Sequence, residues 1–252
     1  MTADRFPSTH ATWIDAQLTI AEGGDRAAAA GDASGGARAE SARDALRRHV
    51  MERYASALTA YVSAPGLRRA GERDELVSGF FARTMSDPGF FLRWKSSGMP
   101  LRRWLMNAMA FHCRGVVRDR QREDGRTAIV DAAALAESLA GADNDDPAAA
   151  FDRAWALALA NEAYAKVQAE LAERGRGGDD DVFRMHVVEG LTYARIAARD
   201  GRTEAECLNA VRRVASALRA AVRDLLREEG VPESGLDAAV DEVLAIMERD
   251  GR

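Results

Sequence analysis

Three groupings of side chains in this sequence have the types and spacing to do chemistry. His112 and Cys113 set a nitrogen and a sulfur donor side by side. Adjacent residues on a helix point about 100° apart, and no further ligands sit at suitable spacing, so the pair makes no zinc site. Cys113 and Cys207 form no C-x-x-C pair and are expected as reduced, partly buried thiols. Asp145 and Asp146 are paired carboxylates, but they lie in the acidic run GADNDDP, which reads as a solvated linker. The third grouping is cationic. Arg114, Arg118, Arg120, Arg122 and Arg126 crowd one stretch, and residues 191–227 hold eight arginines against four acids. Guanidinium groups at this density suit phosphates, so the chemistry on offer is polyanion binding. There is no phosphate-cradling glycine loop or nucleophile motif, and neither an enzyme nor a cofactor is expected.

The elements that must carry those arginines are helical. In residues 182–226, a first helix is expected to turn Phe183 and Val187 inward and to close at Glu189-Gly190. A short second helix, TYARIAARD, contributes Ile196 and Ala197. Gly201 follows, at a turn that needs a positive φ or a close helix approach. Thr203 then opens a long helix, with Glu206 three residues on completing a capping box. Cys207, Val211, Val214, Leu218, Val222 and Leu225 recur every three or four residues, and Arg212, Arg213, Arg219 and Arg223 take the opposite face. Helix, glycine turn and helix with a polar start is the sequence form of a helix-turn-helix, whose second helix enters the major groove. Spacing alone also fits an antiparallel bundle with an arginine-rich outer face.

The N-terminal half reads as a second helical body. Trp13, Ile14 and Leu18 mark a short amphipathic segment, and the Gly- and Ala-rich residues 23–40 read as a flexible connection. A helix is expected from Ser41, with Asp44 as its capping-box partner and Leu46, Val50, Tyr54, Leu58 and Tyr61 as its stripe. Another runs from about Glu72 to Met85. Pro100 suits the first turn of a third, with Leu101, Trp104, Leu105, Ala108 and either Phe111 or His112 buried. A final helix is expected over about 233–249. The fold class is therefore all-α, with two helical domains joined by a flexible acidic linker: an N-terminal segment 1–40, a helical domain 41–126, the linker 127–147, a helix-turn-helix domain 148–227 and a C-terminal helical extension 228–252.

The totals fit that reading. The chain has 252 residues, 47% hydrophobic and 30% charged, ample for two packed cores. Its net charge of −5 does not exclude nucleic acid, because contact depends on where the charge sits. No apolar run is long enough to span a membrane and the N-terminus lacks an export pattern, so a cytoplasmic protein without a membrane partner is expected.

Residues 189–214, EGLTYARIAARDGRTEAECLNAVRRV, resemble the fourth conserved region of the sigma-70 family, in its extracytoplasmic-function class. The N-terminal half resembles the second region: ERDELVSGFFARTM is similar to the helix that docks on the polymerase clamp, and PLRRWLMNAMAFHCRGVVRDRQRE to the helices that melt and capture the minus-ten element. The resemblance implies a sigma factor that directs core RNA polymerase to promoter DNA, with an anti-sigma regulator as a further partner. It implies polymerase contacts at Glu75, Leu76, Phe80 and Phe81. It implies DNA contacts at Arg118, Arg120 and Arg122 and, in the minus-thirty-five reader, at Arg202, Thr203, Glu204, Asn209, Arg212 and Arg213. Trp94, Trp104 and Phe111 are candidates to stack on unpaired bases. The pattern departs from the family at Ser78 and Gly79, at Ala110, Phe111 and Gly115, and at Leu208, where polar or charged residues are usual.

Overall fold

The computed structural model describes residues 10–65, 67, 70–123 and 146–250, and every regular element among them is helical. The helices are α1 (His10–Ala29), α2 (Ala33–Val62), α3 (Arg73–Gly79), α4 (Phe90–Ser97), α5 (Leu101–Glu123), α6 (Pro147–Glu173), α7 (Gly177–Val187), α8 (Tyr193–Asp200), α9 (Glu204–Glu228) and α10 (Glu233–Asp250). Two compact units emerge, Met1–Trp155 and Ala156–Arg252, and the division between them falls within α6. Arg126 and all but the last two residues of the expected linker lie outside the described residues. Asp146, at its end, accepts the Ala148 backbone N–H at 2.9 Å and serves to start α6.

In the first unit the expected flexible connection is replaced by a helical hairpin. α1 runs to Ala29, and α2 begins at Ala33 with Asp32, not Ser41, as its cap, accepting the Ser34 N–H at 2.9 Å. Asp44 sits inside α2, where it pairs with Arg47. The physical reason lies in Gly24 and Gly35. A Cβ on Gly24 would stand 2.5 Å from the Gly35 carbonyl oxygen, and one on Gly35 would stand 2.6 Å from that of Gly24. The two backbones touch, and only residues without side chains permit it. That approach buries Ile14, Leu18 and Ala21. Alanine elsewhere in the stretch favours helix once tertiary packing holds it.

The rest of this unit closes around aromatic rings. Phe151, from the start of α6, lies 6.5 Å from both Tyr54 and Tyr61 of α2. Burial pushes the Tyr61 phenol up to about 12. Phe90 meets Phe80 edge-on at 6.3 Å and Trp104 at 5.8 Å. After α3 the chain widens into one π-type turn, Phe80–Thr84, which brings Phe80 and Met85 together into the core. On α5 the buried set is Leu101, Leu105, Met106, Met109, Ala110 and Cys113. Phe111 is not among them: it is 69% exposed.

The second unit packs α7, α8 and α10 against α9, with the C-terminal part of α6 contributing Leu159, Val167 and Leu171 to its core. Cys207 begins the buried stripe of α9 and Leu226 ends it. Each unit thus holds one buried thiol, and burial raises both; that of Cys113 reaches about 11. Val187, expected inside, is exposed together with Val188 at the end of α7. No helix among the described residues is long and apolar enough to cross a membrane.

The glycine contact gives a paired test. Gly35→Val is expected to destabilise the protein by about 1–3 kcal/mol through overpacking. Gly36→Ala, one residue along, meets only the Ala28 Cβ at 3.8 Å and should stabilise it by about 0.5–1 kcal/mol. Thermal melts of the two variants check the contrast.

Candidate nucleic-acid interface

The arginines sort into two sets, those that the fold ties down and those that it leaves to solvent. In the first unit α5 turns one face outward along its whole length. Arg103, Asn107, Phe111, Arg114, Arg118 and Arg122 follow one another at spacings of three and four, all exposed. At the rise of an α-helix, Arg103 and Arg118 stand about 22 Å apart along the axis. Arg103, Arg114 and Arg118 have no ion-pair partner among the described residues, and the stripe contains no acid. Arg122 lies 3.7 Å from Asp119. The result is a cationic rail with one exposed ring at its centre.

Of the other residues singled out nearby, Arg120 turns away from the rail. Its Nη1 donates to the Ala70 carbonyl at 2.8 Å, and its Nη2 lies 3.6 Å from Glu75. Glu75 is exposed and Phe81 half-buried, so both remain available to a partner. Leu76 and Phe80 do not: they are 2% and 0% exposed and belong to the core. Trp104 packs on Phe90, and Trp94 is half-buried with its indole N–H donating to the Met99 carbonyl at 2.9 Å. Phe111 is therefore the one stacking candidate with an open face. The sequence signal for the outward rail was the register of Leu101, Leu105, Met109 and Cys113, which leaves Phe111 on the far side of the helix.

In the second unit the short helix α8, a glycine turn and the long helix α9 follow one another as expected. Gly190 closes the segment after α7 at φ +68°, and Gly201 ends α8 at φ +73°, left-handed conformations that favour glycine. His186 and Tyr193 stack at 4.3 Å, and the His186 ring meets the Leu191 carbonyl at 2.9 Å, fixing the entry into α8. The capping box forms in full. The Thr203 N–H donates to Glu206 at 2.8 Å and the Glu206 N–H donates back to Thr203 at 3.2 Å. That first bond holds the Glu206 carboxyl below the usual range.

The centre of this unit is Asp179, 5% exposed at the start of α7 and the one buried charged side chain among the described residues. It accepts Arg202 Nη1 at 2.9 Å on one oxygen and Arg213 Nε at 3.1 Å on the other. Arg202 also reaches Asp200 at 2.8 Å. Its guanidinium passes over Gly178, where a Cβ would come within 2.6 Å of Nη2. Neighbouring Asp180 accepts Tyr164 at 2.5 Å and Gln168 at 2.9 Å, tying α6 to α7, and burial and that acid together raise the Tyr164 phenol. Arg202 and Arg213, expected as DNA contacts, thus also pair with Asp179, Arg202 half-buried and Arg213 exposed. Thr203 caps α9 and is exposed as well. Glu204, Asn209 and Arg212 stay exposed, and Arg212 has no ion-pair partner among the described residues.

Among the described residues no three His, Cys, Asp or Glu side chains gather into a metal-holding group. No family profile, curated protein or solved structure matches the chain.

The Asp179 arrangement predicts the effect of its loss. Asp179→Ala should destabilise the protein by about 1–3 kcal/mol, the cost of leaving charged hydrogen-bond donors unpaired. Asn209→Ala, at an exposed position, should stay within about 0.5 kcal/mol of the parent. Denaturant melts followed by far-ultraviolet circular dichroism measure both.

Proposed function

We propose that the protein is a sigma-type transcription initiation factor that binds core RNA polymerase and carries promoter DNA on its two helical units. The observation that supports this most is the outward face of α5, where Arg103, Asn107, Phe111, Arg114 and Arg118 alternate cation, amide and ring along one exposed stripe. A solvated helix gains nothing from a phenylalanine turned to water, whereas a nucleic-acid surface gains a stacking platform between phosphate contacts. The arginines meet backbone phosphates, Asn107 offers a base-edge amide, and the Phe111 ring takes an unstacked base. In the second unit, Asn209 and Arg212 on the first turns of α9 are the groups open to base edges in a major groove. This reading calls for two surfaces and no bond-making step. The sequence resemblance supports the polymerase partner, and Glu75 with the half-buried Phe81 forms the accessible part of that contact.

A non-initiating interaction protein of the same lineage is the second reading, favoured by the burial of Leu76 and Phe80 within the clamp-docking segment. Reconstitution with core RNA polymerase separates the two. Wild-type protein should be captured in stoichiometric complex and should open a cognate promoter, and Glu75→Lys should weaken capture. Phe111→Ala should keep capture but lose opening by about tenfold or more, the worth of one stacked base. Capture without opening by the wild type would favour the second reading. A folded wild-type protein that captures no polymerase would sink both and leave an independent duplex binder.

A further inference from the structure

The residues of α9 that carry the major-groove reading belong to a longer stripe. Ala205, Asn209, Arg212, Ser216, Arg219, Arg223 and Arg227 recur at spacings of three and four and so share one side of the helix. Its first half, through Ser216, is exposed. Its second half is not open in the same way, because α10 lies against α9 with Leu236, Val240 and Val243 buried. From that anchored position α10 presents its own acids at the same period. Glu233 meets Arg227 at 2.7 Å, Asp237 meets Arg223, and Asp241 meets Arg219 at 2.7 Å. The arginines are spaced four and four and so are the acids, in antiparallel order, so the rungs fall in register over about 12 Å of helix.

Three matched rungs exceed what docking α10 requires. All six side chains are at least one-third exposed, and surface ion pairs of this kind add little to stability. The apolar contact at Leu236, Val240 and Val243 already holds the helix. What the ladder does change is charge. Residues 191–227 carry eight arginines and four acids, whereas residues 228–252 carry eight acids and two arginines.

We infer that α10 is a built-in polyanion mimic: its carboxylate ladder occupies the phosphate-binding half of the α9 stripe and holds duplex DNA to the short segment around Asn209 and Arg212. This rests on the nucleic-acid reading of α9. DNA that reaches Arg219, Arg223 and Arg227 must displace the three carboxylates, so the extension sets a threshold on affinity. It presses hardest on sites whose only attraction is phosphate charge, since base contacts near the start of α9 are untouched. The ladder therefore sharpens the ratio of specific to nonspecific binding.

The test is the binding of a fluorescently labelled random-sequence duplex to the full chain across a potassium chloride series. The triple variant Glu233→Gln, Asp237→Asn, Asp241→Asn keeps the apolar anchor of α10 and removes the ladder. Its binding should tighten, and its log–log salt slope should steepen by about 0.9 for each arginine released, about 1.8 for Arg219 and Arg223, because Arg227 keeps its second partner, Asp224 at 2.7 Å. Asp241→Asn alone releases Arg219 and should steepen the slope by about 0.9, which serves as the measurement if the triple variant melts early. Glu242→Gln removes a charge that makes no ion pair among the described residues and should leave the slope unchanged. Equal slopes for wild type and the two ladder variants overturn the inference while leaving the DNA reading intact. A Glu242→Gln slope as steep as that of Asp241→Asn overturns it too, because charge reduction alone would then suffice. Binding by none of the proteins removes the DNA reading and the inference with it.

Discussion

The second unit depends on one buried carboxylate. Asp179 sits at the start of α7, inside a core that is otherwise apolar, and such a group is stable there only when fully paired. Its two oxygens take two arginines from different places, Arg202 from the turn after α8 and Arg213 from the second half of the first α9 segment. One residue thereby fixes three elements. The start of α9 is thereby tied to α7 from both sides, by Arg202 just before it and by Arg213 within it. The capping box at Thr203 and the left-handed Gly201 act between those two ties and set only the local start of the helix. An arginine count therefore does not separate the cations of this unit: Arg202 and Arg213 hold Asp179, whereas Arg212 between them has no ion-pair partner among the described residues.

The same division between tied and open cations runs through the first unit. Arg120 is spent on the Ala70 carbonyl and Glu75, while Arg103, Arg114 and Arg118 point along the outer face of α5 without an acid beside them. A helix of alternating charge solvates itself through its own side-chain pairs. The outer face of α5 has no such pairs along Arg103, Arg114 and Arg118, and it carries Phe111 exposed at its centre. That asymmetry, more than the number of arginines, separates the outer face of α5 from an ordinary surface.

Much of this was legible in the sequence, and the failures share a cause. The capping box, the turn glycine, the buried stripe of α9 and the C-terminal helix follow from local chemistry and were all expected as they are found. Residues 23–40 were not, because Gly- and Ala-rich composition looks like a linker until a second backbone is placed against it; the helix there is a product of the Gly24–Gly35 contact. Val187 was assigned to a buried face by hydrophobicity and faces out, and of Phe111 and His112, which hydrophobic spacing alone left as alternatives for the buried face of α5, Phe111 is exposed and His112 half-buried. Leu76, on the inner face of α3, and Phe80, at the start of the π-type turn, match a docking motif but fill the core, since a motif records residue types and not which side of a helix packs inward. The Asp179 ties span 23 and 34 residues of chain, far beyond any local pattern.

The two cysteines carry a consequence of their own. Cys113 lies in the core of one unit and Cys207 under the first turn of α9 in the other, each without solvent exposure and with its thiol held neutral by burial. The reactive species is the exposed thiolate, so modification of either waits on an opening of its surroundings. Each sulfur is therefore a silent gauge of its own neighbourhood. Where closing is fast, its modification follows how much of the time that neighbourhood stands open, so the chain records the loosening of two separate places.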